Sequence, residues 1–180
     1  MYEVELKVRA AHGPVRDQLE SVGATPLSEV TQRDTYYDAP HRDFAETDEA
    51  LRIRRTTGAA GDETRLTYKG PLVEGAGKTR REHETAVGDA DETAAILDGL
   101  GFDPAATVEK TRETWRLDGF EVVLDDVTDL GQYVEVEREV PESSIDSAHS
   151  GAEQVLRDLG LDPGDAIRTS YLGLLLNSQE

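Results

Sequence analysis

The feature that most constrains this chain is an alternation of charged and apolar residues that begins in its first segment, Glu3-Val4-Glu5-Leu6-Lys7-Val8-Arg9. Successive side chains on a β-strand point to opposite faces, so two carboxylates and two cations share one face and Val4, Leu6 and Val8 the other. A single strand of this kind is an ordinary solvated sheet face, and the pattern gains meaning only by repetition. Arg52 and Arg54 oppose Leu51 and Ile53, and Thr67 and Lys69 oppose Leu66 and Tyr68. Lys78, Arg80, Glu82 and Glu84 share a face, as do Lys110, Arg112, Thr114 and Arg116. Val123 and Asp125 precede a turn near Leu130-Gly131, and Glu135 and Glu137 alternate with Val134 and Val136.

Alternation predicts strands at about 2–9, 33–38, 50–56, 64–69, 78–87, 108–117, 120–127 and 132–140. Helical spacing predicts three helices. The first, about 13–22, turns Val15, Leu19 and Val22 to one side; the second, about 90–100, turns Thr93, Ile96, Leu97 and Leu100 inward. The third, about 144–159, does the same with Ile145, Ala148, Ala152, Val155, Leu156 and Leu159. Each helix ends at a glycine followed three residues later by a proline: Gly23 and Pro26, Gly101 and Pro104, Gly160 and Pro163. Glycine is the expected left-handed stop, and proline keeps the helix from resuming. After the first two stops the chain continues similarly, through Val30-Thr31-Gln32-Arg33-Asp34 and Val108-Glu109-Lys110-Thr111-Arg112. This faint repeat predicts two halves, each with a helix feeding a meander of strands. Three helices cannot cover eight strands on both faces, so the expected fold is α+β, an eight-stranded antiparallel closed barrel with helices outside and a charged interior.

The chain, residues 1–180, reads as one soluble domain with a cytoplasmic location, having no apolar run of membrane-spanning length and no signal-peptide pattern. It has no cysteine, so any metal must be bound mainly by oxygen. A formal charge of −19 argues against a nucleic-acid backbone or an anionic membrane as partner. Of its 19 cationic side chains only Lys7, Lys69, Lys78 and Lys110 are lysines. An acidic, lysine-poor surface resembles that of proteins from salt-loaded, halophilic cytoplasm, and all four lysines fall on charged faces of predicted strands. The cations Arg52, Arg54, Lys69, Arg80, Lys110 and Arg112 are suited to several phosphates. Glu3, Glu5, Asp125, Glu135 and Glu137 supply hard oxygen ligands for Mg²⁺ or Mn²⁺.

Glu3-Val4-Glu5-Leu6-Lys7 resembles the Glu-x-Glu-x-Lys motif that opens the CYTH proteins, the triphosphate tunnel group containing class IV adenylate cyclases and thiamine triphosphatases. Asp34-Thr35-Tyr36-Tyr37-Asp38, Leu51-Arg52-Ile53-Arg54, Tyr68-Lys69-Gly70-Pro71, Lys110-Thr111-Arg112, Leu124-Asp125 and Glu135-Val136-Glu137 follow in the family's order. The resemblance implies a tunnel that binds a triphosphate with divalent metal. It implies Glu5, Glu135 and Glu137 as main metal ligands, supported by Glu3 and Asp125. It also implies Lys7, Arg52, Arg54, Lys69, Arg80, Lys110 and Arg112 as the phosphate grip, with Lys7, Lys69 and Arg112 stabilising charge in catalysis. Arg168-Thr169-Ser170-Tyr171-Leu172-Gly173-Leu174-Leu175 resembles the family tail, with Arg168 closing one mouth on the phosphates; Gly173 departs from the carboxylate that relatives often carry.

His12, His41, His83 and His149 lack metal-ligand spacing and read as structural or exposed. The glycines of 58–61 and 70–77 read as hairpin loops, and Tyr36 and Tyr37 as packing residues with one near a tunnel mouth. Three functions fit: a class IV adenylate cyclase, an inorganic or thiamine triphosphatase, and a non-catalytic polyphosphate or nucleotide sensor. Intact metal carboxylates favour catalysis, on a nucleoside or inorganic triphosphate. A homodimer is compatible with the chain, but no residue dictates one.

Overall fold

A computed structural model of the protein describes residues 1–73 and 78–178. The alternating segments form β1 (Tyr2–Arg9), β2 (Thr25–Asp38), β3 (Ala50–Gly58), β4 (Gly61–Leu72), β5 (Lys78–Ala86), β6 (Asp103–Leu117), β7 (Phe120–Val127) and β8 (Gly131–Val140). All pair antiparallel and close in the order β1-β5-β4-β3-β2-β6-β7-β8, with β8 returning to β1. Closure removes sheet edges and gives each strand one face toward a tunnel. The helices are α1 (His12–Ser21), α2 (Phe44–Thr47), α3 (Ala90–Gly99), α4 (Ile145–Asp158) and α5 (Tyr171–Ser178). The expected eight-stranded barrel with helices outside is the observed architecture. No helix among the described residues is long and apolar enough to cross a membrane. Residues 74–77 of the glycine-rich segment and the side chain of Lys78 lie outside what is described.

The two halves are real. Exchanging β1–β4 for β5–β8 maps the strand order onto itself, so the halves meet at two seams, β1–β5 and β2–β6. At the second seam Gln32 pairs with Lys110. These residues are also equivalents in the repeat, which places a local two-fold axis between them.

β2 and β6 begin at Thr25 and Asp103, well before alternation becomes visible. Their early residues are polar or exposed, but the strands pair with each other and supply hydrogen bonds that composition does not advertise. Pro26 and Pro104 stand inside these strands at register irregularities, which is where a residue lacking an N–H is tolerated. The predicted glycine stops hold: Gly23, Gly101 and Gly160 have φ of 75°, 88° and 77°.

The main core lies outside the barrel wall. Leu6, Val8, Trp115, Val122, Leu124, Val134 and Val136 face outward under Val15 and Leu19 of α1 and Ala152, Val155 and Leu156 of α4. A Cβ added to Gly151 would meet the Phe120 ring at 2.8 Å, so α4 lies close against β7. Truncating fully buried Leu156 to alanine should cost about 2–5 kcal/mol. α3 corrects the sequence reading: Ile96 and Leu100 are 61% and 64% exposed. The helix covers only the small outer patch of Tyr37, Leu51, Ile53 and Leu66, and Ala90, Ala94 and Leu97 fill it. Val22 is exposed as well, because the helix has ended before it. His12 is buried with its ring 3.0 Å from the Tyr133 carbonyl oxygen, a structural role. Tyr36 and Tyr37 are buried in separate apolar clusters and border the tunnel.

Candidate active site

The inner faces enclose a cavity of about 1280 Å³. Glu3, Glu5, Glu135 and Glu137 line it, as do Lys7, Arg52, Arg54, Lys69, Arg80, Lys110, Arg112 and Arg168. Asp125 alone of the predicted set does not border the cavity; it is fully buried in the wall behind Arg112.

The neighbouring strands β1 and β8 make an acidic wall, in which Glu5 stands opposite Glu137, Glu3 opposite Glu139 and Lys7 opposite Glu135. Glu3, Glu5 and Glu137 each bring a carboxylate oxygen within 4.8 Å of the other two. Like charges so placed destabilise a sheet. Burial, then repulsion from Glu3, Glu135 and Glu5, pushes the Glu137 carboxyl up to about 8 against the opposing pull of Arg112. Burial also works against charge on Glu3, but Lys69 overcomes it and lowers that carboxyl. Three converging hard oxygen donors in a polar cavity fit Mg²⁺ or Mn²⁺, whose charge would relieve the repulsion.

The basic wall is organised by two arginine forks related by the two-fold. Arg54 of β3 places Nε and Nη2 each 2.7 Å from the oxygens of Asp34 on β2. Arg112 of β6 places Nε and Nη2 at 2.8 and 2.6 Å from the oxygens of Asp125 on β7. The signs are inverted between the halves: one carries its carboxylate at the seam strand, the other its guanidinium. Bidentate pairs fix both guanidinium planes before any ligand arrives. Arg112 also donates to Glu135 at 3.0 Å, joining the basic wall to the acidic one. Lys110 Nζ and Arg52 Nη1 lie 3.6 and 3.9 Å from Asp34. Burial would raise the Asp34 carboxyl, but Lys110, Arg54 and Arg52 hold it well below the usual range. Burial, then Arg112 and Arg54, pushes the Lys110 ammonium down to about 7.

Lys69 is clamped by Glu3 at 2.5 Å and Glu82 at 3.1 Å. Burial works to lower its ammonium; Glu3 and Glu82 more than offset this and raise it. Arg80 reaches the other way, donating to the Asp48 carbonyl at 3.1 Å and its carboxylate at 3.4 Å, at the end of α2. The sequence reading missed Asp34 and Glu82 as working parts of the site. Asp34 had a usable signal, since it shares inward parity with Gln32 and Tyr36. Tyr171 had no signal in the alternation, only its place in the tail resemblance: it enters the site from α5, a helix that strand parity does not reveal.

Similarity to known proteins bears on this geometry. The CYTH domain family matches residues 1–171. A provisionally named adenylate cyclase of Methanocaldococcus jannaschii is 35% identical over 97% of this chain and 98% of its own length. Human thiamine-triphosphatase is 32% identical over 65% of this chain and 55% of that protein. A solved protein of Pyrococcus horikoshii superposes with a TM-score of 0.91 at 38% identity, covering 98% of this chain and 99% of that one. The sequence, the barrel and the matched span agree: the chain belongs to the CYTH domain family.

Proposed function

We propose that the chain is a divalent-metal-dependent enzyme that holds a triphosphate in its tunnel and works as a class IV adenylate cyclase, converting ATP to cyclic AMP and pyrophosphate. One observation carries the reading: the Glu3, Glu5 and Glu137 cluster borders the same cavity as Lys7, Arg52, Arg54, Lys69, Arg80, Lys110, Arg112 and Arg168. Those three carboxylates would hold Mg²⁺ or Mn²⁺, with Glu135 and Asp125 behind them through Arg112. The bound metal supplies neutralisation of phosphate charge and polarisation of the attacking hydroxyl. Arg52, Arg54, Lys110 and Arg80 bind and orient the phosphates, and Arg168 closes the tail side. Lys7, Lys69 and Arg112 stabilise charge as the ribose 3′ hydroxyl attacks the α-phosphorus and pyrophosphate leaves. The relative from M. jannaschii, similar over nearly its whole length, supports the cyclase form. The cavity, with Tyr36, Phe44, Leu172 and Leu176 among its lining residues, also has room for an organic group on the triphosphate.

A second reading is hydrolysis at the terminal phosphorus by water, supported by the similarity to thiamine-triphosphatase. Incubation with ATP, tripolyphosphate and thiamine triphosphate, each with Mg²⁺ or Mn²⁺, separates the two by chromatography. Cyclic AMP with pyrophosphate is the expected product. Inorganic phosphate in its place identifies the hydrolase, and binding without turnover of any of the three leaves a sensor.

A further inference from the structure

Tyr171 begins α5 and is 6% exposed. The Lys7 and Lys110 ammonium nitrogens lie 4.4 and 5.1 Å from its ring centroid. Its phenol donates to Asp125 Oδ2 at 3.0 Å, the carboxylate on which Arg112 forks. Tyr133 meets the ring edge-on at 5.2 Å, and the Ile167 N–H donates to the Lys7 carbonyl at 2.7 Å, tying the incoming tail to β1. One side chain from the end of the chain thus touches a cation of β1, a cation of β6 and a carboxylate of β7.

We infer that Tyr171 is a positioning residue of the tunnel, whose ring sets the spacing of the Lys7 and Lys110 ammonium groups so that both meet one polyanion. The two lysines are almost fully buried and lie beside the same ring. An aromatic ring attracts both through its quadrupole without neutralising either, which no carboxylate can do. Other attractions compete for them. Lys7 lies 4.0 Å from Glu5 and Lys110 lies 3.6 Å from Asp34, so loss of the ring would let each lysine move onto its carboxylate. The phenol contributes separately, by orienting Asp125. The tail is therefore part of the anion grip as well as a cover.

The inference rests on the tunnel reading above. Its test is calorimetric titration of tripolyphosphate, with Mg²⁺ present, into the wild type, Tyr171→Phe, Tyr171→Leu, Lys110→Met and the Tyr171→Leu/Lys110→Met double variant. Tyr171→Phe keeps the ring and should stay within about threefold of the wild type; Tyr171→Leu should weaken binding about tenfold. If the ring acts through the two lysines, the loss from Tyr171→Leu shrinks to the share carried by Lys7 once Lys110 is methionine. A merely structural role predicts instead that the two losses multiply, and that result overturns the inference, as does unchanged affinity in Tyr171→Leu. Circular dichroism checks folding, and Tyr171→Met, which keeps apolar bulk, replaces the leucine variant if that one does not fold. Failure of the wild type to bind tripolyphosphate rejects the tunnel reading and this inference together.

Discussion

Glu5 on β1 and Glu137 on β8 stand directly opposite each other in the sheet register, two carboxylates at a position where sheets ordinarily place complementary neighbours. Without a cation, the conflict is eased by a proton: the Glu137 carboxyl is pushed up to about 8, by burial first and then by repulsion from Glu3, Glu135 and Glu5. A divalent ion bound here would compete with that proton for the same oxygens.

Metal binding should therefore release a proton from Glu137 below about pH 8, and metal affinity should rise with pH until it levels off there. The sign for stability is the reverse. A carboxyl raised above its unfolded value of 4.5 binds more protons when folded, so the contribution of Glu137 to the stability of the metal-free protein is lost as pH climbs from about 4.5 to 8. Melting curves across that range, with and without Mn²⁺, test both statements. Glu137→Gln should flatten this part of the slope and abolish metal-dependent turnover. A slope unchanged in Glu137→Gln would remove Glu137 from the metal site.

Much of this was legible in the sequence because strand parity converts a one-dimensional pattern into a face. Glu3, Glu5, Lys7, Arg52, Arg54, Lys110 and Arg112 could be placed together from alternation alone, and the barrel followed from too many strands for too few helices. What parity does not give is pairing across the tunnel. Nothing in the spacing says that Arg112 takes Asp125 and Glu135 while Glu137 joins Glu3 and Glu5. The misread stripe of α3 has a similar origin, since Ile96 and Leu100 have the right period but no sheet left to cover. Tyr171 illustrates the limit: its role depends on where a tail folds back.

Lys110 offers a pH test at the opposite wall. Burial, then Arg112 and Arg54, lowers its ammonium to about 7, so it is charged below that pH and increasingly neutral above it in the ligand-free protein. Triphosphate affinity should fall as pH rises through 7, relative to a Lys110→Met variant. A charge-assisted phosphate contact is worth about 1.5–3 kcal/mol, so the wild type should bind about tenfold to a hundredfold tighter than the variant at pH 6 and lose much of that advantage by pH 9. Arg157→Met, at an exposed site on α4 paired with Glu153, serves as the control and should change nothing. Equal affinities for all three proteins at pH 6 would exclude Lys110 from the grip.

The surface makes a separate prediction. At a formal charge of −19 the folded chain repels itself wherever charges are unscreened. The screening length falls from about 10 Å at 0.1 M salt to about 3 Å at 1 M. The melting temperature should climb over that interval, and a flat or falling curve would count against adaptation to a salt-loaded cytoplasm.

Asp34 gives the strongest test of how the basic wall is held together. Its carboxylate is fully buried, forked by Arg54 at 2.7 Å and approached by Lys110 and Arg52 at 3.6 and 3.9 Å. Asp34→Asn keeps the shape and removes the charge, leaving three buried cations without their shared anion. Removing one partner of a buried ionic cluster costs about 3–5 kcal/mol, which denaturant unfolding will resolve. A polyanion in the tunnel can supply the missing charge. Tripolyphosphate should therefore raise the melting temperature of Asp34→Asn by more than it raises that of the wild type, because stabilisation by a ligand grows with its affinity for the folded state. If the two proteins shift equally, the ligand does not reach Arg52, Arg54 and Lys110, and the basic wall is a structural cluster with no part in holding phosphate.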